Sequence, residues 1–341
     1  MLKRNPISKD ALRLKAEWYY AENNLDLSLK IYKTLISLYE TREELEEQID
    51  ILTSIGDISQ LVDDYEQSIV YYSKILNVFE SVEEPLDEHW EEQKVLRLYD
   101  LGEVAEKMGK YEDALLYYQD AAQIHTKEEL QKPLIDDYSH IAKIYIKMGK
   151  EYYAQAKTYY KKTLSLCEDI AGLYPHKEPH LKYELGKLLM KMGEYEQALE
   201  YLPAAMAFFR EFEQSHFIVE ESDTAIRKET EKLVWECVDK VSQQIETLLK
   251  EGKISKAREL IETLLELLQG EEQYEQKATL YYYLSVIAFE RKDYSRAKEI
   301  LYESIQILKK VDHYQDKELY ERVKRLLERM KASQKEKNKK G

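Results

Sequence analysis

The sequence predicts an all-α chain, a stack of about seven helix pairs closed by a C-terminal capping helix. Three observations carry that expectation. Only 10 glycines and 6 prolines stand among 341 residues, which leaves little material for turns and implies long helices. Small residues recur in a fixed frame along the chain, the mark of an internal repeat. A single core stops growing at roughly 250 to 300 residues, a limit that repeats escape because each unit packs only on its neighbours.

The frame is clearest in two segments. Leu101-Gly102 is followed by Gly109, Tyr111 and Ala114, and Leu185-Gly186 by Gly193, Tyr195 and Ala198, with the same spacing. Gly102 and Gly186 are expected where two helix backbones approach closely, and Gly109 and Gly193 where a left-handed residue ends the first helix. In chain order, copy one holds Ala16, Tyr19, Leu25, Ser28 and Tyr32, and copy two Gly56, Tyr65, Ser68 and Tyr72. Copies three and five are the two segments above. Copy four has Ala142, Gly149, Ala156 and Tyr160, with two extra residues between turn and second helix. Copy six has Leu248, Gly252, Ile254, Ala257 and Ile261, and copy seven Ser285, Ala288, Tyr294, Ala297 and Leu301.

From Ala16 through Gly56, Gly102, Ala142, Gly186 and Ile245 to Ser285 the steps are 40, 46, 40, 44, 59 and 40 residues. The 59-residue step contains Ser222-Asp223, a helix-start signal, and a periodic run from Thr224 to Glu251, so copy six should open with an extra-long first helix. Pro203 falls in the second helix of copy five and is expected to kink it. After copy seven, Leu319, Val323, Leu326, Leu327 and Met330 share one face of a helix over Asp316 to Ala332 that should cover the last repeat.

The Leu-Gly, Gly-x-Tyr-x-x-Ala frame resembles the tetratricopeptide repeat, a helix-turn-helix of 34 residues. Repeats near 40 residues resemble its long-helix branch, seen in kinesin light chains and in peptide-pheromone receptors of Gram-positive bacteria. The resemblance implies a right-handed superhelical solenoid whose first helices line a concave groove. The expected plan is an N-terminal lead at 1–8 and an array at 9–312 with a long linker or extended helix at 212–251. A capping helix at 313–333 and a disordered basic tail at 334–341 follow.

By the same resemblance the residue after each small residue faces the groove: Glu17, Asp57, Glu103, Lys143, Lys187, Glu246 and Val286. Lys147 and Lys191 lie one helical turn further on the same face. The four lysines would form a basic patch for an acidic segment, a carboxy-terminus or a phosphate, although a lysine beside a turn is also an ordinary solvated residue. Among 29 tyrosines, Tyr32, Tyr72, Tyr118 and Tyr160 share a second-helix packing site, and Tyr65, Tyr111, Tyr195 and Tyr294 the turn site. Tyr99, Tyr183 and Tyr282 share a first-helix position expected to face the groove, with inter-repeat packing as the other reading.

No enzyme is expected. Every glycine stands alone, so there is no phosphate loop, and no nucleophilic triad, metal site or cofactor site can be assembled. His176 and His180 are the only close histidine pair, but Pro175 and Pro179 place them in a loop entering a helix rather than on one turn. Cys167 and Cys237 match no disulfide or metal spacing and read as buried apolar residues of a cytoplasmic chain. No apolar stretch reads as a secretory leader or a membrane span.

A net charge of −15 argues against general nucleic-acid binding. The charge is uneven: residues 51–100 carry 3 basic against 12 acidic side chains, or −9, and 301–341 carry 12 against 7, or +5. The partner is therefore expected to be another protein or peptide, possible acidic character included, held by a cytoplasmic scaffold or adaptor. The alternative is a signalling receptor whose pitch changes on binding a short peptide. Receptors of that kind usually carry a helical domain ahead of the repeats, and here copy one begins near Lys9. The asparagines of chaperone-tail clamps are missing from the seven groove positions.

Overall fold

The computed structural model describes residues 8–39, 45–81, 88–170, 176–215, 221–310 and 317–340. It contains fifteen α-helices and, among the described residues, no strand. Contacts divide the chain into two compact units, Met1–Leu181 and Lys182–Gly341.

The first unit stacks four antiparallel hairpins. They are α1 (Lys9–Ala21) with α2 (Leu25–Ile36), α3 (Leu45–Leu61) with α4 (Tyr65–Glu80), α5 (Glu88–Lys107) with α6 (Tyr111–Lys127), and α7 (Gln131–Met148) with α8 (Tyr153–Asp169). The unit ends within α9 (Lys177–Met192). The second unit contains the rest of α9 with α10 (Tyr195–Ser215), α11 (Glu221–Lys250) with α12 (Ile254–Leu267), α13 (Tyr274–Glu290) with α14 (Tyr294–Leu308), and α15 (Lys317–Lys340). These are the seven helix pairs and closing helix that the frame predicts. The lead at 1–8 lies outside the described residues except Ser8, whose hydroxyl caps α1 by accepting from Ala11 N at 3.4 Å.

One turn joins nearly every pair. Within two residues of the end of the first helix a left-handed residue follows, Asn23, Asp63, Gly109, Gly193, Gly252 or Lys292, with φ between 57° and 77°. The amide that follows donates back to the carbonyl five residues earlier, as in Asp64 to Ser59 at 2.8 Å and Lys110 to Ala105 at 2.9 Å. That closure satisfies carbonyls the helix end would otherwise leave open. Asn24, Asp64 and Asp293 then cap the second helices with their side chains. Copy four departs where its two extra residues predict it: Gly149 has φ 126°, and a single 3-10 turn, Lys150–Tyr152, precedes α8.

The helices of each pair meet at the frame's small residues. Ala16, Ser28, Ser68, Ala114, Ala142, Ala156, Ala198, Ala257, Ser285 and Ala297 are fully buried. What crowds the glycines is a side chain, not a second backbone as the sequence suggested. A Cβ added at Gly56 would lie 2.4 Å from the Tyr72 ring, at Gly102 2.7 Å from the Tyr118 ring, and at Gly186 2.4 Å from Leu202. Two of the serines at small positions bridge their pair through the hydroxyl: Ser28 donates to the Ala16 carbonyl at 2.8 Å, and Ser285 to the Ala297 carbonyl at 2.7 Å.

The extra-long first helix of copy six is α11, with 30 residues. Helix α10 runs on through Pro203 to Ser215, and the bend expected toward 224 falls partly on residues outside those described. Leu319, Val323, Leu326 and Met330 of α15 are buried against Ala278, Leu301 and Leu308, which closes the last hairpin. The helix continues to Lys340, past the boundary at 334 where the sequence suggested disorder. Residues 331–340 contain no glycine or proline and are rich in helix formers, so nothing in the backbone chemistry stops propagation.

Gly102→Ala should lower the unfolding free energy by roughly 1–3 kcal/mol through overpacking against Tyr118. Lys292→Gly, which relieves a left-handed lysine at φ 66°, should raise it by about 1 kcal/mol. Urea denaturation followed by circular dichroism measures both.

Candidate functional site

In the first unit, successive first helices are joined by polar side chains along one face. Arg13 of α1 bonds Asp50 of α3 at 3.1 Å, Arg97 of α5 donates to Thr53 of α3 at 3.0 Å, and Lys107 of α5 donates to Gln60 of α3 at 2.7 Å. Lys147 of α7 pairs with Glu106 of α5. The residues that follow the small positions, Glu17, Asp57, Glu103 and Lys143, are all exposed on this face.

Between α5 and α7 the face opens into a cleft of about 390 Å3, lined by Glu103, Glu106, Lys107, Tyr118, His140, Lys143 and Lys147. Its floor is aromatic: His140 stacks on Tyr118 with ring centroids 4.7 Å apart. The Tyr118 hydroxyl passes beside Gly102 and donates to Glu106 Oε1 at 2.9 Å, while the other Glu106 oxygen holds Lys147. Burial, and then the Lys143 charge, push His140 below the usual imidazole pKa, which favours the neutral ring. Lys143 has no ion-pair or hydrogen-bond partner among the described residues. The cleft therefore offers a stacked apolar floor, two ammonium groups without a carboxylate partner among the described residues, of which Lys107 bonds Gln60 and Lys143 bonds nothing, and two carboxylates, of which Glu106 is engaged.

Closer to α3 the same face is acidic. Tyr72 donates to Asp57 at 2.5 Å, and Arg97 pairs with Asp100 at 3.1 Å. Burial lifts the Asp100 carboxyl to about 6, although the Arg97 charge opposes it.

In the second unit the equivalent positions are occupied. Lys187 Nζ pairs with Glu229 of α11 at 2.7 Å and donates to the Tyr183 hydroxyl at 3.0 Å. Burial pulls this ammonium's pKa down, but the bonds to Glu229 and Tyr183 outweigh it and hold the pKa above the ordinary lysine value. Glu246 is bound by Arg322 of α15 at 2.5 Å and by Lys250 at 3.0 Å. Val286 packs into the cluster formed with α15. Lys191 is exposed and has no such partner among the described residues. Of the four lysines, then, Lys143 and Lys191 are uncompensated, while Lys147 and Lys187 already bridge neighbouring helices. Lys143 and Lys147 belong to the first unit, Lys187 and Lys191 to the second.

The three tyrosines expected to face a groove instead pack between hairpins. Tyr183 is only 4% exposed, its ring against Phe209 and its hydroxyl donating to Glu229 at 2.7 Å. Burial, and then Glu229, raise its pKa to about 12. Half-buried Tyr99 packs near Tyr118 and His140 and donates to Asp137, a fully buried carboxylate that also meets His125 Nδ1 at 2.7 Å. Half-buried Tyr282 lies beneath Arg322, 5.7 Å from its ring centroid. The reason is angular. These residues sit three positions before the small residue, about 60° around the helix from the nest, and so face the next hairpin.

Sequence reasoning missed Glu106, Tyr118 and His140 as cleft residues. Glu106 was legible, one turn beyond Glu103 on the same helix, but neither its bond to Tyr118 nor that to Lys147 is. Elsewhere, Cys167 and Cys237 are free and buried, and burial raises their thiols to about 11 and about 12. Cys237 donates to the Tyr195 carbonyl at 3.0 Å. Pro179 and His180 lie in the first turn of α9, and His176 just ahead of it. Among the described residues, no group of three or more His, Cys, Asp or Glu side chains is placed to hold a metal ion, and no helix is long and apolar enough to cross a membrane.

A family profile described as a tetratricopeptide repeat matches residues 179–210, the fifth hairpin. No curated protein sequence matches the chain. Among solved structures, the apo form of RapI superposes with a TM-score of 0.54 at 14% identity, over 88% of this chain and 74% of that one, a likeness of fold. A putative kinesin light chain from Podosopora anserina with tetratricopeptide-like repeats gives 0.49 at 8% identity, over 60% of this chain and 96% of that one. MamA gives 0.46 at 14% identity, over 62% and 97%. The seven hairpins share one frame at steps of 40 residues or more, and the profile match on the fifth of them together with the likeness to RapI shows a tetratricopeptide-like fold.

Proposed function

We propose that this protein is a non-enzymatic adaptor that holds a segment of a partner protein on the first-helix face of its first unit, with Lys143 as the anchoring charge. The tetratricopeptide fold is a scaffold for protein interaction, and its face is where the open chemistry lies. The observation that carries the reading is the contrast between units: Glu17, Asp57, Glu103 and Lys143 are exposed, whereas Lys187, Glu246 and Val286 are covered by α11 and α15.

A carboxylate on the partner fits the cleft between α5 and α7. Lys143 has no competing partner there, and the half-open cleft lowers solvent screening relative to a flat surface. The stacked His140 and Tyr118 rings supply apolar contact beside that charge, the combination that anchors interfaces. Lys147 contributes by fixing Glu106, and Glu103 at the rim selects against a guest that is acidic throughout. Lys191 offers a similar uncompensated charge in the second unit.

Affinity purification from the native cell with mass spectrometry tests the assignment. Lys143→Glu should deplete at least one captured protein about tenfold or more, because loss of a charge-assisted bond and the new repulsion act together. Lys30→Glu, the same charge change on second helix α2, should deplete none. An identical set of proteins from wild type and Lys143→Glu would overturn the reading. Lys187→Glu should instead lower stability by roughly 1–2 kcal/mol, since it sets a carboxylate against Glu229, while Lys143→Glu should change stability by less than about 0.5 kcal/mol.

A further inference from the structure

The second unit contains a cleft that the adaptor reading does not use. It measures about 420 Å3 and lies where the start of α10 meets α11 and α12. Its α11 wall is a helical stripe, Lys240, Gln244, Thr247 and Glu251, spaced so that all four share one side. Glu246 and Lys250, which belong to the first-helix face, point about a quarter turn or more away. The cleft is therefore a separate surface, beside the hairpin turns.

Its charges are nearly all matched. Lys256 pairs with Glu196 at 3.1 Å, and Glu251 with Lys253 at 2.7 Å. Two groups are left over. Lys240 is half-buried yet has no ion-pair or hydrogen-bond partner among the described residues. Gln244 Oε1 is shielded from solvent and accepts no hydrogen bond. An ammonium with no partner attracts an anion, and a shielded carbonyl oxygen calls for a donor, since it has lost hydration without gaining a bond. The two lie four residues apart on one helix, about one turn, or 5–6 Å. Gln243 adds an exposed amide donor, and the exposed Thr247 hydroxyl, which donates to the Gln243 carbonyl at 3.2 Å, keeps acceptor lone pairs beside it.

From this pairing we propose that the cleft binds a peptide carboxylate together with a neighbouring main-chain N–H. The carboxylate sits on Lys240 and the N–H donates to Gln244 Oε1. Two sources present this chemistry, a chain terminus and an Asp or Glu side chain within a chain. The volume admits only a few residues, so the recognised element is short.

Fluorescence anisotropy with the full-length chain tests it, using three fluorescein-labelled tetrapeptide pools of degenerate, non-acidic sequence. One pool has a free carboxy-terminus, one is amidated, and one is amidated with Asp fixed at the third position. At least one carboxylate-bearing pool should bind more tightly than the amidated acid-free pool, and which one does identifies the source. Lys240→Gln should weaken that binding about tenfold or more, and Lys143→Glu should leave it unchanged. Should Lys240→Gln fail to fold by circular dichroism, Gln244→Leu carries the same test with an expected loss of several-fold. Equal binding of all pools, wild-type affinity in a folded Lys240→Gln or Gln244→Leu, or loss of binding in Lys143→Glu would overturn the proposal.

Discussion

The structure depends on one constraint: in six of the seven pairs a small residue of the first helix leaves room for a large residue from the second, with Ile245 at that position in the remaining pair. Gly56 makes room for Tyr72, Gly102 for Tyr118 and Gly186 for Leu202. The constraint sets more than the packing. In copies two and three the tyrosine crosses beneath the glycine and delivers its hydroxyl to the first-helix face, where it meets Asp57 or Glu106. The nest that joins a pair thus also supplies a polar group to the candidate site. Glu106 passes the connection on to Lys147 of the next hairpin, so packing and surface chemistry share residues.

That linkage explains why the two units offer different faces. In the first unit, tyrosine hydroxyls and bridging lysines engage some carboxylates and leave Lys143 uncompensated. In the second, the equivalent second-helix residues are Leu202, Ile261 and Leu301, which bring no hydroxyl to the face. Its charges are satisfied instead by neighbouring first helices and by the closing helix, through Glu229 and Arg322. A face whose groups already bond each other has little to gain from a guest, because the guest must replace bonds rather than make them.

The repeat frame was legible because nesting is local and periodic. Copy four's extra residues appear as an opened turn, and the 59-residue step as the long α11. The groove positions were legible as a direction around a helix, and in the first unit they are exposed. Their chemistry was not, because a lysine's meaning depends on what faces it. Lys187 and Lys143 are equivalent in the frame, yet Glu229, which engages Lys187, lies inside the irregular step, where the frame places nothing. Tyr99, Tyr183 and Tyr282 show a related limit: a rotation of about 60° separates a groove wall from an inter-hairpin contact, and only the stacked neighbour decides between them. At the carboxyl end, low hydrophobicity argues against packing but not against helix, and α15 runs to Lys340.

Hydrogen–deuterium exchange with and without a captured partner tests the central claim most directly. The account predicts slowed exchange in peptides covering α5 and α7 around Glu103 and Lys143, with α6 and α8 little changed. Protection concentrated in the second helices, or in the second unit alone, would contradict it.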